Sequence, residues 1–462
     1  MTREGWGRVV WGATVAWVTL LMLSLRYGLL SSFFYDQTHG RSNPGIDFFQ
    51  IGRAFENLLD GRSVFDTFAG KPYGPYATWY VYHPALALAL GPWLSPFGPW
   101  MAFRVWTAVS FALMCASAWL IMRRGSDPVR KPLVCLLMLG SFPLVVMLGA
   151  GNVQAILVLA LTLVLVSVDE MREIGSTARN QGMLLAGLLI SLFSKPAVFL
   201  MLPLLLCLRE TRRAALKALG IYVVVSTLFL VVPGLNPEPM SWADRWNLAT
   251  HPAIVRQTMD VYSNGFTVTQ SMKDNSIHWL EMLAMTDTRL QNVDVYSLPV
   301  FLDGWLENAR TPDAWYRIPG ILVLEMSLLV LTLKNRDDRI EAALMVLMAA
   351  SLMFFLSFGI VWEYSYTTVF PIAGILLMRT RVTRAAWAIC GLTALVWGPS
   401  LFFMTKEAGR SLNSLMTWMR ADRVLPVAAI FCILLGTAGV AVYRQWEPLL
   451  VGLMQPKTAR RN

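Results

Sequence analysis

The sequence predicts an all-α polytopic membrane protein with about twelve transmembrane helices. Hydrophobic residues make up 56% of its 462 residues and charged residues only 15%, against roughly 25% charged residues in soluble domains. The apolar residues also occur in runs, and about 20 of them in a helix cross the hydrocarbon core of a bilayer. The 18 tryptophans and 13 tyrosines are typical of the aromatic belts at membrane interfaces.

The first predicted span follows Arg3 and Arg8 and lacks the small-residue cleavage site of a secretory signal, so we expect it to be retained. We interpret residues 1–462 as one integral membrane domain without an internal repeat. The predicted spans lie near 9–30, 100–122, 132–148, 153–168, 182–194, 196–208, 218–233, 317–333, 340–359, 364–378, 385–403 and 424–443.

The positive charges predict the topology. Arginines and lysines form short clusters between the apolar runs, and twelve spans place all the clusters on one side. The positive-inside rule makes this side cytoplasmic, together with both termini. The same placement explains the formal charge of +10 without nucleic-acid binding. The clusters begin at Arg123, Arg172, Arg209, Lys334, Arg379 and Arg444.

A proline-bounded apolar block at 83–97 decides this topology. If the block crossed the membrane, every later basic cluster would lie outside, so we interpret it as a re-entrant or interfacial helix. The first external loop then covers 31–99, and the second large one covers 234–316. Apolar residues at helical spacing predict an amphipathic helix lying on the membrane in the first loop, ending at Asp60. They are Phe48, Ile51, Phe55, Leu58 and Leu59.

Asp47 is the candidate catalytic residue. At the start of an external interfacial helix, in a medium of low dielectric constant, its carboxylate could have a raised pKa and act as a general base toward a hydroxyl. The alternative is structural, because Asp47 and Gln50 have the spacing of a capping box at a helix N-terminus. A capped helix start is also a rigid mount, so the two interpretations are compatible.

Lys195 is the candidate phosphate-binding residue. It is the one charged residue in the 27 residues from 182 to 208, and a buried cation in such a run is costly and typical of function. Pro196 breaks the helix there, so that local backbone opens toward a cavity. A lysine that snorkels to the interface is the alternative. Arg104 has the same two interpretations.

Other polar residues fall on the external side of the predicted topology. The turn at 149–154 contains Asn152 and Gln154, and the short polar segment at 362–366 contains Glu363 and Tyr364; each could contact a substrate or only cap a helix or form a turn. The second loop offers Asn275 and His278, and His83 precedes Pro84.

Motifs of other enzyme classes are absent. The sequence has no zinc-protease motif, P-loop, external acidic pair or metal-binding cysteine spacing, and its five cysteines lie in apolar runs. We therefore expect neither a metal nor a cofactor.

The order of these residues resembles the polyprenyl-phosphate-dependent glycosyltransferase family 87 of the GT-C class. This family includes phosphatidylinositol mannoside mannosyltransferases. The resemblance covers about residues 40–375, and the final two spans carry nothing diagnostic. Three positions depart from the family pattern: His83 replaces a proline, the segment at 274–276 differs, and Glu363 stands where relatives often have histidine. The resemblance is carried by Asp47 in 45–48, Tyr82 and His83 in 80–86, 151–154, Lys195 with Pro196, 275–276 and 362–364.

The resemblance implies an inverting transferase in a bacterial plasma membrane, with its active site on the external face. The donor would be a polyprenyl-phosphate sugar, with mannose or a similar hexose, and the acceptor a lipid-linked or cell-envelope glycan. Asp47 would deprotonate the acceptor hydroxyl, and Lys195 or Arg104 would hold the donor phosphate. Tyr82, His83, Asn152, Gln154, Asn275, His278, Glu363 and Tyr364 would contact substrate.

Two alternatives belong to other classes. A multi-pass transporter or lipid flippase would show interrupted helices in two repeat-related halves, and the sequence has one interruption, at Lys195, without a counterpart. A non-catalytic membrane scaffold would not need a lysine within an apolar run.

Overall fold

The computed structural model describes residues 2–27, 44–60, 73–75, 80, 82–195, 197–231, 314–357, 363–399 and 421–454. Within these ranges the chain is helical and contains no strand. The helices are α1 (Arg3–Tyr27), α2 (Ile46–Leu59), α3 (Pro84–Leu94), α4 (Pro99–Met122), α5 (Arg130–Leu139), α6 (Phe142–Ala150), α7 (Gln154–Ile174), α8 (Ala178–Phe193), η1 (Ala197–Leu200), α9 (Leu202–Cys207), α10 (Arg212–Val231), α11 (Ala314–Leu331), α12 (Arg336–Ser351), α13 (Met353–Ser357), η2 (Glu363–Thr368), α14 (Val369–Met378), α15 (Arg384–Trp397) and α16 (Ala421–Met454).

The described helices are those of a polytopic membrane protein. Four of them, α1, α4, α7 and α16, are long and apolar enough to cross a membrane, and α5 with α6 forms a fifth candidate bent by 40°. The bend lies between Gly140, which ends α5, and Ser141, whose hydroxyl caps α6. The other predicted spans coincide with shorter or broken helices, so the number twelve stays a prediction.

Helix α7 lies at the centre of the bundle. It is apolar around its whole circumference, which is typical of a buried helix, and 83% of its apolar window is buried, against 17% for α1. Close packing against α8 depends on Gly187, because a Cβ there would lie 2.6 Å from the Ala160 carbonyl oxygen. The two ends of α7 are therefore surrounded by other elements.

Basic clusters that the sequence places on one side of the membrane meet at the C-terminal end of α7. Asp169 accepts hydrogen bonds from Arg124 and Arg379, both at 3.0 Å. Arg379 also pairs with Glu341 at 2.6 Å, and Arg172 pairs with Glu341 at 3.4 Å. The ends of α4, α7, α12 and α14 that carry these charges thus lie together, and the side of the membrane they face stays a prediction.

Helix α2 begins and ends near the predicted positions. Its polar residues Gln50, Arg53 and Asn57 are buried together with its apolar ones, and the position of α2 relative to the membrane stays a prediction. Two glycines admit aromatic rings against the backbones of α2 and α3. A Cβ on Gly52 would lie 2.1 Å from the Tyr73 ring, and Gly91 of α3 accepts Phe55 in the same way.

Helix α3 is the predicted non-spanning block. Its 11 residues extend about 16 Å, roughly half of the 30 Å hydrocarbon core. Its length therefore agrees with a re-entrant or interfacial helix. Large parts of the predicted loops 31–99 and 234–316 lie outside the described residues, so the loop boundaries stay predictions.

Candidate active site

Asp47 lies in the first turn of α2, but it does not cap the helix. The N-cap is Gly45, in the left-handed region with φ of 77°, and it has no side-chain capping bond. Gln50 donates its side-chain amide to the backbone carbonyl of Asp47 at 2.8 Å. The capping-box interpretation is therefore wrong, and the Asp47 carboxylate is directed to other groups.

The turn between α6 and α7 brings Asn152 to Asp47. Gly151 has φ of 70°, and a Cβ there would lie 2.6 Å from the Cβ of Phe48, so only glycine fits without strain. The Trp106 indole donates to the Gly151 carbonyl at 2.8 Å, and the Gly45 amide donates to Gly149 at 2.9 Å. These contacts fasten α2 and α4 to the turn.

The Asn152 side chain bridges the carboxylate and the lysine. Its Nδ2 donates to Asp47 Oδ2 at 2.8 Å, and its Oδ1 accepts from Lys195 Nζ at 2.9 Å. The backbone amide of Gln154 also donates to Oδ1 at 3.0 Å. Two donors on one side and a carboxylate on the other define the orientation of the amide.

Lys195 lies in the break between α8 and η1. Its Nζ donates to Gln154 Oε1 at 2.8 Å as well as to Asn152, and it lies 5.1 Å from the centre of the Tyr364 ring. The Ser191 hydroxyl fixes the backbone at this break by donating to the Lys195 carbonyl at 2.7 Å. Two of the three ammonium hydrogens are thus used among the described residues.

Tyr364 closes the cluster from η2. Its hydroxyl hydrogen-bonds to the Asp47 carboxylate, while its ring faces Lys195. Gln154 Nε2 donates to the Ser365 carbonyl at 3.4 Å. Tyr82 lies on the other side of Asn152, with its hydroxyl 3.4 Å from Nδ2. We call Asp47, Tyr82, Asn152, Gln154, Lys195 and Tyr364 the amide-bridged cluster.

Burial changes the acid–base properties of this cluster. The pKa of Asp47 is raised by burial, although the Asn152 hydrogen bond, the Lys195 charge and the Tyr364 hydrogen bond each lower it. Burial lowers the pKa of Lys195 to about 8, opposed by the Asp47 charge. Burial raises the pKa of Tyr82 well above its ordinary value, so Tyr82 is a neutral donor. Asp47 and Lys195 are only half-buried, which leaves them accessible to a ligand.

Two other predicted site residues have different environments, and two more lie outside the described residues. His83 caps α3 through Ala85 N, lies 3.1 Å from the Ser226 hydroxyl, and has a pKa lowered to about 4 by burial. Arg104 is exposed on α4, while its neighbours Phe103 and Trp106 face the turn at Gly151. Asn275 and His278 lie outside the described residues.

Glu363 forms an ion pair with Arg423 at 2.7 Å, and its contact with a substrate stays a prediction. Arg423 was not singled out by the sequence analysis as the partner of Glu363. The sequence did contain a signal, because Arg423 directly precedes the last predicted span, where a charge is costly unless paired.

The described residues contain no group of three or more His, Cys, Asp and Glu side chains that could hold a metal ion. That the reaction needs neither a metal nor a cofactor stays a prediction.

Fold and site together define a polytopic membrane protein with a half-buried carboxylate and a half-buried ammonium group joined by a neutral amide. A family model for glycosyltransferase family 87 matches residues 80–357. The chain belongs to this family and is a glycosyltransferase. No curated protein and no solved structure matches it. Asp47 and Tyr364 lie outside the matched residues, and the fold brings them to Asn152 and Lys195, which lie inside.

Proposed function

We propose that the protein is an inverting glycosyltransferase of the GT-C class, similar to the phosphatidylinositol mannoside mannosyltransferases. Its donor is a polyprenyl-phosphate sugar, with mannose or a similar hexose, and its acceptor is a lipid-linked or cell-envelope glycan. It acts in a bacterial plasma membrane, with the amide-bridged cluster on the external face and both termini in the cytoplasm. Neither a metal nor a cofactor takes part.

One observation carries the proposal: Asn152 joins Asp47 and Lys195 without a direct ion pair between them. A transferase that uses a phosphate leaving group needs a base for the acceptor hydroxyl and a cation for the departing phosphate. The cluster offers both groups within one side chain of each other. Membership of a glycosyltransferase family supports this function over a transporter or flippase.

Asp47 acts as the general base. As the acceptor oxygen attacks the anomeric carbon, its proton passes to the Asp47 carboxylate, and the bond between that carbon and the phosphate oxygen breaks on the opposite face. The raised pKa of Asp47 suits this role, because a base is most effective when its pKa approaches the working pH. The configuration at the anomeric carbon is inverted.

Lys195 binds the donor phosphate. The electron pair of the broken bond remains on polyprenyl phosphate, and the ammonium group balances this charge. Its third hydrogen has no acceptor among the described residues, since Asn152 and Gln154 take the other two. Arg104, exposed on α4, is the weaker candidate because no described contact joins it to the cluster.

The neutral residues of the cluster bind the sugar and the acceptor. Tyr82 and Tyr364 present hydroxyls and ring faces beside Asp47, which suit a polyol. Asn152 and Gln154 keep the two charged groups in place. His83 contributes by holding the start of α3, and Asn275 and His278 are proposed contacts of the acceptor.

The decisive test is Asp47→Asn, assayed with a radiolabelled polyprenyl-phosphate mannose and envelope lipid acceptors. An amide cannot take the proton, so we expect transfer to fall by about 10²- to 10⁴-fold, with donor binding retained. Asp337→Asn is the matched control, because the Asp337 side chain is 71% exposed at the other end of the bundle, and it should transfer normally.

Transfer by folded Asp47→Asn protein at the parent rate would exclude Asp47 as the base. A parallel screen of polyprenyl-phosphate sugars identifies the donor. If the protein transfers another hexose and not mannose, only the proposed sugar changes and the rest of the proposal stands.

A further inference from the structure

Arg423 and Glu363 form a buried ion pair beside the amide-bridged cluster. Arg423 is 0% exposed and Glu363 is 2% exposed. Arg423 Nε donates to Glu363 Oε1 at 2.8 Å. An arginine and a glutamate this deeply buried are costly to desolvate, so we asked what role the pair has in the protein.

Arg423 connects three segments of the chain. Besides Glu363 at the start of η2, its guanidinium donates to the carbonyls of Leu395, at 3.0 Å, and Gly398. These carbonyls end α15, where backbone acceptors have no partner within the helix. Arg423 itself lies in the first turn of α16. The planar guanidinium suits this geometry because it offers several donors in fixed directions.

The pair is joined to the site by a single peptide bond. Glu363 is followed directly by Tyr364, whose hydroxyl bonds to Asp47 and whose ring lies over Lys195. Ser365, the next residue, accepts a hydrogen bond from Gln154. A change in the position of η2 would therefore move the groups that contact both charged residues of the cluster.

We propose that Arg423 is a positioning residue for glycosyl transfer: through Glu363 it holds η2 so that Tyr364 keeps its hydroxyl on Asp47 and its ring over Lys195. This inference rests on the proposed role of Asp47 as the base. It assigns a function to the start of the last helix, which no recognised motif covers. Arg423 does not touch substrate in this proposal.

The test compares Arg423→Lys, Glu363→Gln and Tyr364→Phe. We expect kcat to fall by roughly 10- to 100-fold in the first two variants, as for a displaced catalytic geometry, with the donor KM changed less than about threefold. The acid limb of the kcat profile should also move to higher pH. Asp47 is faced by Asn152, Lys195, Tyr82 and Tyr364, and losing the Tyr364 hydrogen bond removes a contact that lowers its pKa.

Tyr364→Phe should give the same shift of the acid limb, and adding Arg423→Lys to it should give no further shift. Arg379→Lys is the matched control, because Arg379 also holds carboxylates in a largely buried ion pair, but at the opposite end of α7. It should leave the acid limb unchanged. Glu363→Gln keeps the size of the side chain, so the test stands if Arg423→Lys does not fold.

The proposal is overturned if Tyr364→Phe moves the acid limb while Glu363→Gln and Arg423→Lys do not, since the pair would then only stabilise the fold. It is also overturned if the shifts add. Failure of the proposed function has a different signature, namely that Asp47→Asn retains activity and no variant changes the profile.

Discussion

The two ends of α7 carry polar clusters of opposite design, about 30 Å apart for its 21 residues. At the C-terminal end, carboxylates and arginines touch directly, as where Asp169 meets Arg124 and Arg379. At the N-terminal end, Asp47 and Lys195 are both bound to Asn152. The first arrangement joins helices. The second fixes the positions of two charged groups and leaves both available to a ligand.

The difference shows how one bundle can use charge for stability and for chemistry. In a direct ion pair each charge is balanced by its partner, so neither is available to a ligand. A neutral amide orients a carboxylate and an ammonium group without neutralising them, and both remain half-buried. The pKa of Asp47 is accordingly raised by burial even with Lys195 nearby.

Asn152→Asp would create a direct ion pair at the N-terminal end of α7, and among the tests of this comparison it has the largest expected effect. The new carboxylate would pair with Lys195 and repel Asp47, raising its pKa further. We expect transfer to fall by roughly 10²- to 10³-fold, comparable to removing a catalytic hydrogen-bond donor. Steady-state kinetics at several pH values measure this.

The matched control is Asn180→Asp at the start of α8. Asn180 is equally buried and forms a capping box with Thr177, and aspartate is favourable in the first turn of a helix. Its activity should equal that of the parent. Parent-like transfer by Asn152→Asp would show that the amide is not needed to separate the charges.

The pH dependence tests whether both charges are available. Activity requires Asp47 deprotonated, so kcat should fall about tenfold per unit below the raised pKa of Asp47. Donor binding requires Lys195 protonated, so the donor KM should rise above about pH 8. Lys195→Arg stays charged and should lose this basic limb. A donor KM that is constant from pH 7 to 10 in the parent would contradict the role of Lys195.

Breaking the ion pairs at the C-terminal end of α7 should lower stability without lowering activity. Arg379→Gln removes a guanidinium that holds Asp169 and Glu341. We expect a loss of about 2 kcal/mol, below the 3–5 kcal/mol of a fully buried pair, because Glu341 is 32% exposed. Thermal unfolding in detergent measures this, and transfer per folded molecule should stay unchanged. A drop in kcat of the folded variant would mean that the two ends are coupled.

Most members of the candidate site could be predicted from the sequence because each is a polar residue in an apolar setting. Lys195 interrupts a run of apolar residues, and Asn152 and Gln154 lie in a short turn between two such runs. The structure brings these residues to Asp47 and Tyr364. What could not be predicted is that Asn152 stands between the charges, because this depends on the packing of α2 against the turn at Gly151.

Other features of the structure also depend on tertiary packing. Arg104 shares a helix turn with Phe103 and Trp106, and only the rotation of α4 places those aromatic residues toward the site and Arg104 on an exposed face. Glu363 and Arg423 are 60 residues apart in the chain, so no local pattern pairs them. Tyr73 packs on Gly52 of α2, and this too is a contact between separate segments.

By itself, the sequence determined that the protein is helical and crosses a membrane, and which polar residues interrupt its apolar runs. These properties are local, because a backbone in lipid must satisfy its hydrogen bonds within each helix. The tertiary structure alone decided which polar groups meet: Asp47 with Lys195 through an amide, Asp169 directly with arginines, and Glu363 with Arg423. Such pairings follow from the rotation and packing of helices, which residues far apart in the chain determine together.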